Sequence, residues 1–440
     1  MDGRLPLGPA AHALAFLAVP DVLRGALLGF GRAAVPPCLC RLTRPMLTVR
    51  AEGDYYRPGY CLTLAHALAE WAAVKRVVRL FGGGGGGGGG NVFYPLPSIR
   101  LRPGTHYLPR GIVEIRARHS GVRVEADAGA VVHGCVRIGT GAKNVVLRDL
   151  CVRNGNSDAQ LEMTAPRSSP PSSFPPPPPL SSSSSSSFSS SSPPSFSSRM
   201  QCLSHTLFRR LAALRATPRR NQNDSNDYGD VSAAHAHECG IVVSGFHAQA
   251  TLERCRVEGS RHGLLVCRGA SVRLLYCTLL RNRRNGMRVS GSVTHVMATG
   301  CSFSHNRFNG AAVWNGGQCH LERGCKSKGN GFHGVQVSDA CSACHITGCD
   351  MSGNTQCGLC VAKGAQASVL ECAINNNLRM GLAVMPTGGH LSLMRGTKVH
   401  DNESGGVWAA TNAACVELHR NSRVLGQIRA MRGALVNVVL

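Results

Sequence analysis

The sequence is poor in acidic groups, in lysine and in aromatic rings. Asp and Glu together number 24 in 440 residues, against 48 Lys and Arg, so the formal net charge is +24. Charged residues of both signs make up only 16% of the chain and aromatic residues 5%. So few rings exclude a base-stacking platform for single-stranded nucleic acid or an aromatic strip for sugars. So few acids argue against the clustered carboxylates that sugar hydrolysis or calcium-dependent elimination requires. No uninterrupted apolar run approaches the ~18 residues of a membrane span, which argues against a membrane protein of the helical kind.

The basic excess is equally uneven. Only six cations are Lys (Lys75, Lys143, Lys326, Lys328, Lys363 and Lys398), and the rest are Arg. That balance, with abundant Ala, Gly and Pro, is what GC-rich coding produces whatever the function. The charges are scattered, without the basic run or basic helix that tracks a phosphate backbone, so the pattern argues against a nucleic-acid partner. An acidic protein surface remains a fitting partner, with binding that weakens as salt rises.

Twenty Cys would form a disulfide framework only in a secreted chain. Ala10–Val19 has the apolar character of a signal-peptide core, but Asp2 precedes it and His12 interrupts it. The balance points to an intracellular protein of the cytoplasm or nucleus with reduced thiols, secretion being the lesser reading.

Three tracts carry no fold information. Gly82–Gly90 is pure glycine, Pro166–Ser198 is almost wholly Ser, Pro and Phe, and Asn221–Asp230 is polar. None can bury a core, and they define disordered insertions at 82–90 and about 157–236.

What the chain has in quantity is glycine, 52 residues, and part of it is periodic. Gly240, Gly263, Gly286, Gly310, Gly334, Gly358, Gly381 and Gly406 follow at intervals of 23, 23, 24, 24, 24, 23 and 25. Each is followed by an apolar–variable–apolar triplet, such as Leu264/Val266 or Val335/Val337, which is the alternation of a strand with one buried face. Four residues before the glycine stands Asn: Asn282, Asn306, Asn330, Asn354, Asn377 and Asn402, with Gly259 the exception. Nine residues before it stands Cys: Cys277, Cys301, Cys325, Cys349 and Cys372, with Cys255 one place off. Helical repeats run longer, and a leucine-rich repeat would fix more Leu positions. Three short apolar pieces per ~23 residues fit one turn of a parallel β-helix. Stacked Asn side chains can bond to one another down the axis, and stacked Cys can serve as compact apolar filler.

These columns resemble the right-handed parallel β-helix, or pectin-lyase-like, superfamily. Leu62–Ala73, with apolar Leu64, Leu68 and Ala72, reads as its capping helix. Ser98–Tyr107 resembles its first strand and turn. Val122–Val124, Val131–Ile138 and Asn144–Asn154 supply further rungs. The resemblance implies an all-β right-handed β-helix over 60–440, three strands per turn, with a small helical N-terminal segment. The apolar stretch Ala434–Leu440 reads as a paired end, an incomplete chain or a sticky edge.

The candidate chemistry is thin. Acids in the regular rungs fall at differing positions. The richest polar group is Asp224–Asp230 with His235, His237 and Glu238, at the mouth of the insertion. Asp227, Asp230, His237, Glu238 and His262 are therefore the candidates for a carbohydrate-active enzyme. Arg261-His262-Gly263 resembles the Gly-His-Gly of polygalacturonases, but its first residue differs and its companion acidic motifs are absent, and a turn role suits His262 better. Cys341-x2-Cys344-x12-Cys357-x2-Cys360 has zinc-ribbon spacing yet spreads over two rungs, so no metal is expected. No cofactor motif is present, since the glycine tract lacks the Lys-Ser/Thr of a phosphate loop.

Residues 1–50 carry a second resemblance. Leu5, Pro6, Leu14, Phe16, Leu17, Pro20, Asp21, Val22 and Leu23 look like a degenerate F-box, with Pro20-Asp21 breaking one helix and capping the next. A helical cap and a signal peptide are the alternatives. F-box proteins with a C-terminal β-helix are receptors of cullin ubiquitin ligases. The resemblance thus implies a Skp-type adaptor at these residues and an unidentified protein target on a non-catalytic solenoid. The alternative is a carbohydrate-active β-helix enzyme (a pectin or alginate lyase, or a hydrolase). A basic scaffold binding polyanions comes third.

Overall fold

The structure is a computed structural model that describes residues 46–50, 60, 61, 63–82, 96–154, 237–410, 414–419, 421–431 and 433–439. The chain divides into a unit of residues 1–155 with 230–440 and a unit of residues 156–229, the second lying outside the described residues.

Short strands pair in parallel to form a β-helix of about 11 turns. One 14-stranded sheet, here sheet A, runs from Tyr60–Cys61 and Met46–Val49 through Ser98–Leu101 and Gln249–Glu253 to Leu435–Val439. A second 14-stranded sheet, sheet B, carries the strands that follow the repeat glycines, such as Leu264–Cys267 and Val335–Ser338. The third side of each turn is narrow. Between Thr278–Leu280 and Ala373–Asn375 it consists of single bridges through Ser302, Lys326 and Asp350. The repeat containing Gly263 shows all three sides, with strands Leu264–Cys267, Ser271–Leu275 and Thr278–Leu280. The solenoid also reaches upstream of residue 60, because Met46–Val49 pairs with Ser98–Leu101.

Alternation along the strands sends one residue set inward. On sheet A, Ile99, Val124, Leu147, Leu252, Leu274, Ala298, Leu321, Ile346 and Val369 occupy one register and are buried. Each Val, Leu or Ile of this set contributes roughly 1.5–3 kcal/mol on leaving water. The 155–236 region leaves the ladder unbroken. Val145–Arg148 pairs with Gln249–Glu253, and Cys151–Arg153 with Arg256–Glu258, as though the intervening chain were absent.

The single α-helix among the described residues is Leu64–Gly82. The Thr63 hydroxyl accepts the His66 N–H at 3.1 Å and starts it. Leu64, Ala67, Leu68, Trp71 and Val74 form its buried stripe against the first rungs, and Trp71 Nε1 donates to the Pro97 carbonyl at 2.8 Å. It runs beyond the expected Ala73, because no breaker intervenes before the glycine tract.

The Asn column is a continuous buried ladder. Nδ2 of each Asn donates to Oδ1 of the next, at 2.9, 3.2, 3.0, 2.9 and 2.8 Å from Asn282 to Asn402. Each receiving Oδ1 also accepts the backbone N–H of the preceding Asn. The column begins one residue away from the Gly259 position, where the N–H of Ser260 donates to Asn282 Oδ1 at 3.2 Å. That turn is one residue shorter, which also explains Cys255: it sits 22 residues before Cys277 and at the same level, the flanking strands pairing Arg256 with Thr278.

The glycine column follows from the Asn ladder. A Cβ on Gly286 would lie 2.7 Å from Asn306 Nδ2 and 2.7 Å from the Gly310 carbonyl oxygen, and the same conflict recurs at Gly263, Gly334 and Gly381. Space rather than backbone conformation demands glycine there. The Cys column is buried, its thiols bonded to backbone carbonyls, as in Cys277 to Leu252 at 3.2 Å. Hydrogen bonds between thiols of adjacent rungs, then burial, push Cys301 and Cys349 well above the ordinary thiol range.

Candidate functional site on the outward face of sheet A

The sequence-predicted enzyme residues do not assemble into one site. Asp227 and Asp230 lie outside the described residues, as do all nine F-box-like positions from Leu5 to Leu23. His237 is exposed and uses its carbonyl to accept from Asn154 Nδ2 at 2.6 Å. Glu238 pairs with Arg261 at 3.4 Å. His262 is 2% exposed, in the turn before Leu264–Cys267, with its carbonyl accepting the Gly240 N–H at 3.0 Å. The zinc-ribbon spacing is likewise dispersed. Cys344 points into the core beside Cys319, Cys341 is an exposed turn residue, and Cys360 lies in a strand of sheet B.

Most described carboxylates are tied to cations. Arg148 bridges Glu253 at 2.7 Å and Glu125 at 3.5 Å. Asp127 holds Arg100 at 2.6 Å, and Asp149 holds Arg254 at 2.6 Å. The hydrogen bonds from Arg254 keep the Asp149 carboxyl below the usual range. Burial pulls Glu258 upward, but its bonds to Arg153 and Arg256 outweigh this and hold the carboxyl low. Asp149 and Glu258 stay ionised and paired, a poor state for proton donation to a leaving group.

The outward face of sheet A offers different chemistry. Alternation exposes Gln249, Thr251 and Glu253 on one strand, Ser271, Arg273 and Leu275 on the next, and His295, Met297 and Thr299 on the third. A depression of about 270 Å³ opens here, lined by Asn144, Gln249, Thr251, Ser271, Arg273, His295 and Met297. Among the described residues no carboxylate pairs with Arg273, unlike Arg148 two rungs away. The register carries the face onward through His320, His345 and Ser368. The rings of His295 and His320 lie 5.1 Å apart, those of His320 and His345 4.8 Å, and His345 Nδ1 is 2.6 Å from Ser368 Oγ.

Sequence reasoning passed over this face, because most of its residues change type from rung to rung, His320 and His345 excepted. A second column was missed for the same reason. Asn309 donates its N–H to Asn285 Oδ1, His333 to Asn309 Oδ1, and Cys357 to His333 Nδ1, at 3.1, 3.0 and 3.2 Å. Burial drives His333 down to about 3, so its ring is a neutral acceptor. The 24-residue spacing was a usable signal, hidden by the change from Asn to His to Cys.

The fold defines a right-handed parallel β-helix, and the family model for a right-handed beta helix region matches residues 221–324 and 294–424. Among solved structures the chain is similar to the A-module of the mannuronan C-5 epimerase AlgE4 of Azotobacter vinelandii, at 12% identity and a TM-score of 0.45, covering 84% of this chain and 95% of that one. It is similar to pectate lyase Pel9A at 11% identity and 0.37, covering 86% and 78%, and to the periplasmic alginate epimerase AlgG at 9% and 0.32, covering 78% and 77%. Likeness at this level transfers no activity and no residue role. No curated protein matches the sequence.

Proposed function

We propose that the chain is a glycan-binding β-helix whose sheet A face takes an extended acidic polysaccharide. The observation that carries this is Arg273, a cation with no paired carboxylate among the described residues, set in a depression between Gln249, Thr251, Ser271 and His295. A guanidinium offers a planar fork to a carboxylate, and the neighbouring amide, hydroxyl and imidazole groups suit sugar hydroxyls. Polar side chains recur at the ~4.8 Å rung spacing, close to the length of one sugar unit, so a polymer can lie along the axis. The net charge of +24 favours a polyanion over a neutral glycan. With the neighbouring carboxylates ion-paired, binding is better supported than two-carboxylate hydrolysis.

The test is calorimetric titration with oligogalacturonate and alginate oligomers beside neutral cello-oligomers. Acidic oligomers should bind, more weakly as salt rises, and Arg273→Ala should lower affinity by about 10- to 100-fold, as the ~1.5–3 kcal/mol of a charged hydrogen bond implies. Equal binding by Arg273→Ala, or no preference for acidic chains, refutes the reading. Release of unsaturated uronates would move it to a lyase. The ubiquitin-ligase receptor reading rests on residues outside those described, and no described feature favours it.

A further inference from the structure

Further along the same sheet lies a group of metal-ligating side chains that the glycan reading does not use. Strands Gly389–Leu393 and Ala414–His419 pair with His390 beside Cys415 and Ser392 beside Glu417. Strand alternation sends His390, Cys415, Glu417 and His419 to the outward face, and all four are half-buried. His390 Nε2 is 3.3 Å from one Glu417 oxygen. The ligand atoms of His390, Cys415 and Glu417 all lie within 4.8 Å of one another. The other Glu417 oxygen is 4.0 Å from His419 Nε2, which also lies 3.1 Å from Ser392 Oγ.

A tetrahedral zinc ion, with bonds of about 2.0–2.3 Å, sets its ligands about 3.3–3.7 Å apart, so small side-chain rotations close this group onto one ion. A thiolate, an imidazole and a carboxylate form a set that suits zinc and disfavours magnesium or calcium. We propose that His390, Cys415 and Glu417 bind one Zn²⁺ ion, with His419 orienting the Glu417 carboxylate. Three protein ligands leave a fourth position open to water or to an incoming anion, on a face that is accessible to both. His390 and Cys415 hold adjacent rungs, so the strand pairing fixes two ligands before metal arrives. A second group, Cys61, His66 and Glu70, differs: its thiol is 1% exposed and donates to the Glu70 carboxylate at 3.5 Å. It serves as an internal control.

The inference stands independently of glycan binding. The full chain, stripped with a chelator under reducing conditions, is titrated with Co²⁺ and then with competing Zn²⁺. The expected result is one tight equivalent with a thiolate-to-cobalt charge-transfer band that Zn²⁺ removes. Cys415→Ser should abolish the band. His419→Ala should weaken metal binding by about 10-fold, and His390→Ala and Glu417→Gln should each weaken it by more than that. Cys61→Ser should change neither band nor affinity. The targeted side chains face outward, so circular dichroism should remain that of the parent, and any one of these variants suffices if another fails to fold. No thiolate band in the parent, or a band that survives Cys415→Ser, overturns the proposal.

Discussion

Asn330→Ala removes the centre of the buried amide ladder. The Asn330 side chain makes five bonds: Nδ2 donates to Asn354 Oδ1 and the Phe303 carbonyl, both at 3.0 Å, and to Ser327 Oγ at 3.3 Å, while Oδ1 accepts the Asn306 N–H at 3.0 Å and Asn306 Nδ2 at 3.2 Å. After truncation Asn354 Oδ1 keeps the Asn330 N–H, and Asn306 Nδ2 keeps the Leu279 carbonyl. The Asn306 N–H keeps nothing, in a residue only 1% exposed. An orphaned buried donor costs about 1–3 kcal/mol and each of the four remaining lost bonds roughly 0.5–1, so the total is roughly 3–7 kcal/mol. Asn402→Ala likewise orphans the Asn377 N–H, in a residue also 1% exposed, so it should cost a comparable amount although Asn402 itself is half-buried. Urea unfolding followed by circular dichroism gives the comparison. Hydrogen exchange at the Asn306 amide reads the rung locally, which matters because repeat arrays can open in parts. If Asn330→Ala costs less than about 1 kcal/mol, the ladder is ornamental and the argument from orphaned donors fails.

Three further outcomes follow from the same rungs. Gly286→Ala should destabilise by about 2–3 kcal/mol through overpacking against Asn306 and Gly310, whereas Gly324→Ala, with φ +81° and open space around it, should cost only about 1–2 kcal/mol of backbone strain; thermal unfolding ranks the two. His333 is held near pKa 3 by burial, below its unfolded value of 6.5, so the unfolded chain binds the extra proton between those values. Its contribution is therefore whole above pH 6.5 and is lost as pH falls towards 3, at up to about 1.4 kcal/mol per pH unit; His333→Asn, matching Asn285 and Asn309, should flatten that slope in urea titrations from pH 7 to 4. Alkylation read by peptide mass should label exposed Cys341 in the native protein and Cys301 or Cys325 only after unfolding; early labelling of the column would contradict its burial.

The repeat was legible in the sequence wherever neighbouring rungs need the same side chain. In the main column each Asn bonds the Asn of the next rung, and that Asn leaves no room for a Cβ beside it, so Asn306, Asn330 and Gly310 repeat in register. Inward apolar positions repeat for the simpler reason that the core excludes water. These constraints make the period, the strand positions and the fold legible in the repeat itself. Outward positions obey no such rule. Arg273 follows Gln249 by 24 residues, and Cys415 follows His390 by 25, without either pair resembling the other. Whether such residues meet depends on turn lengths that vary from rung to rung, as the shorter turn at Ser260 shows. The register of the strands alone set Gln249, Ser271, Arg273 and His295 around one depression and His390 beside Cys415. It also left Glu238 bound to Arg261 and His262 buried in its turn.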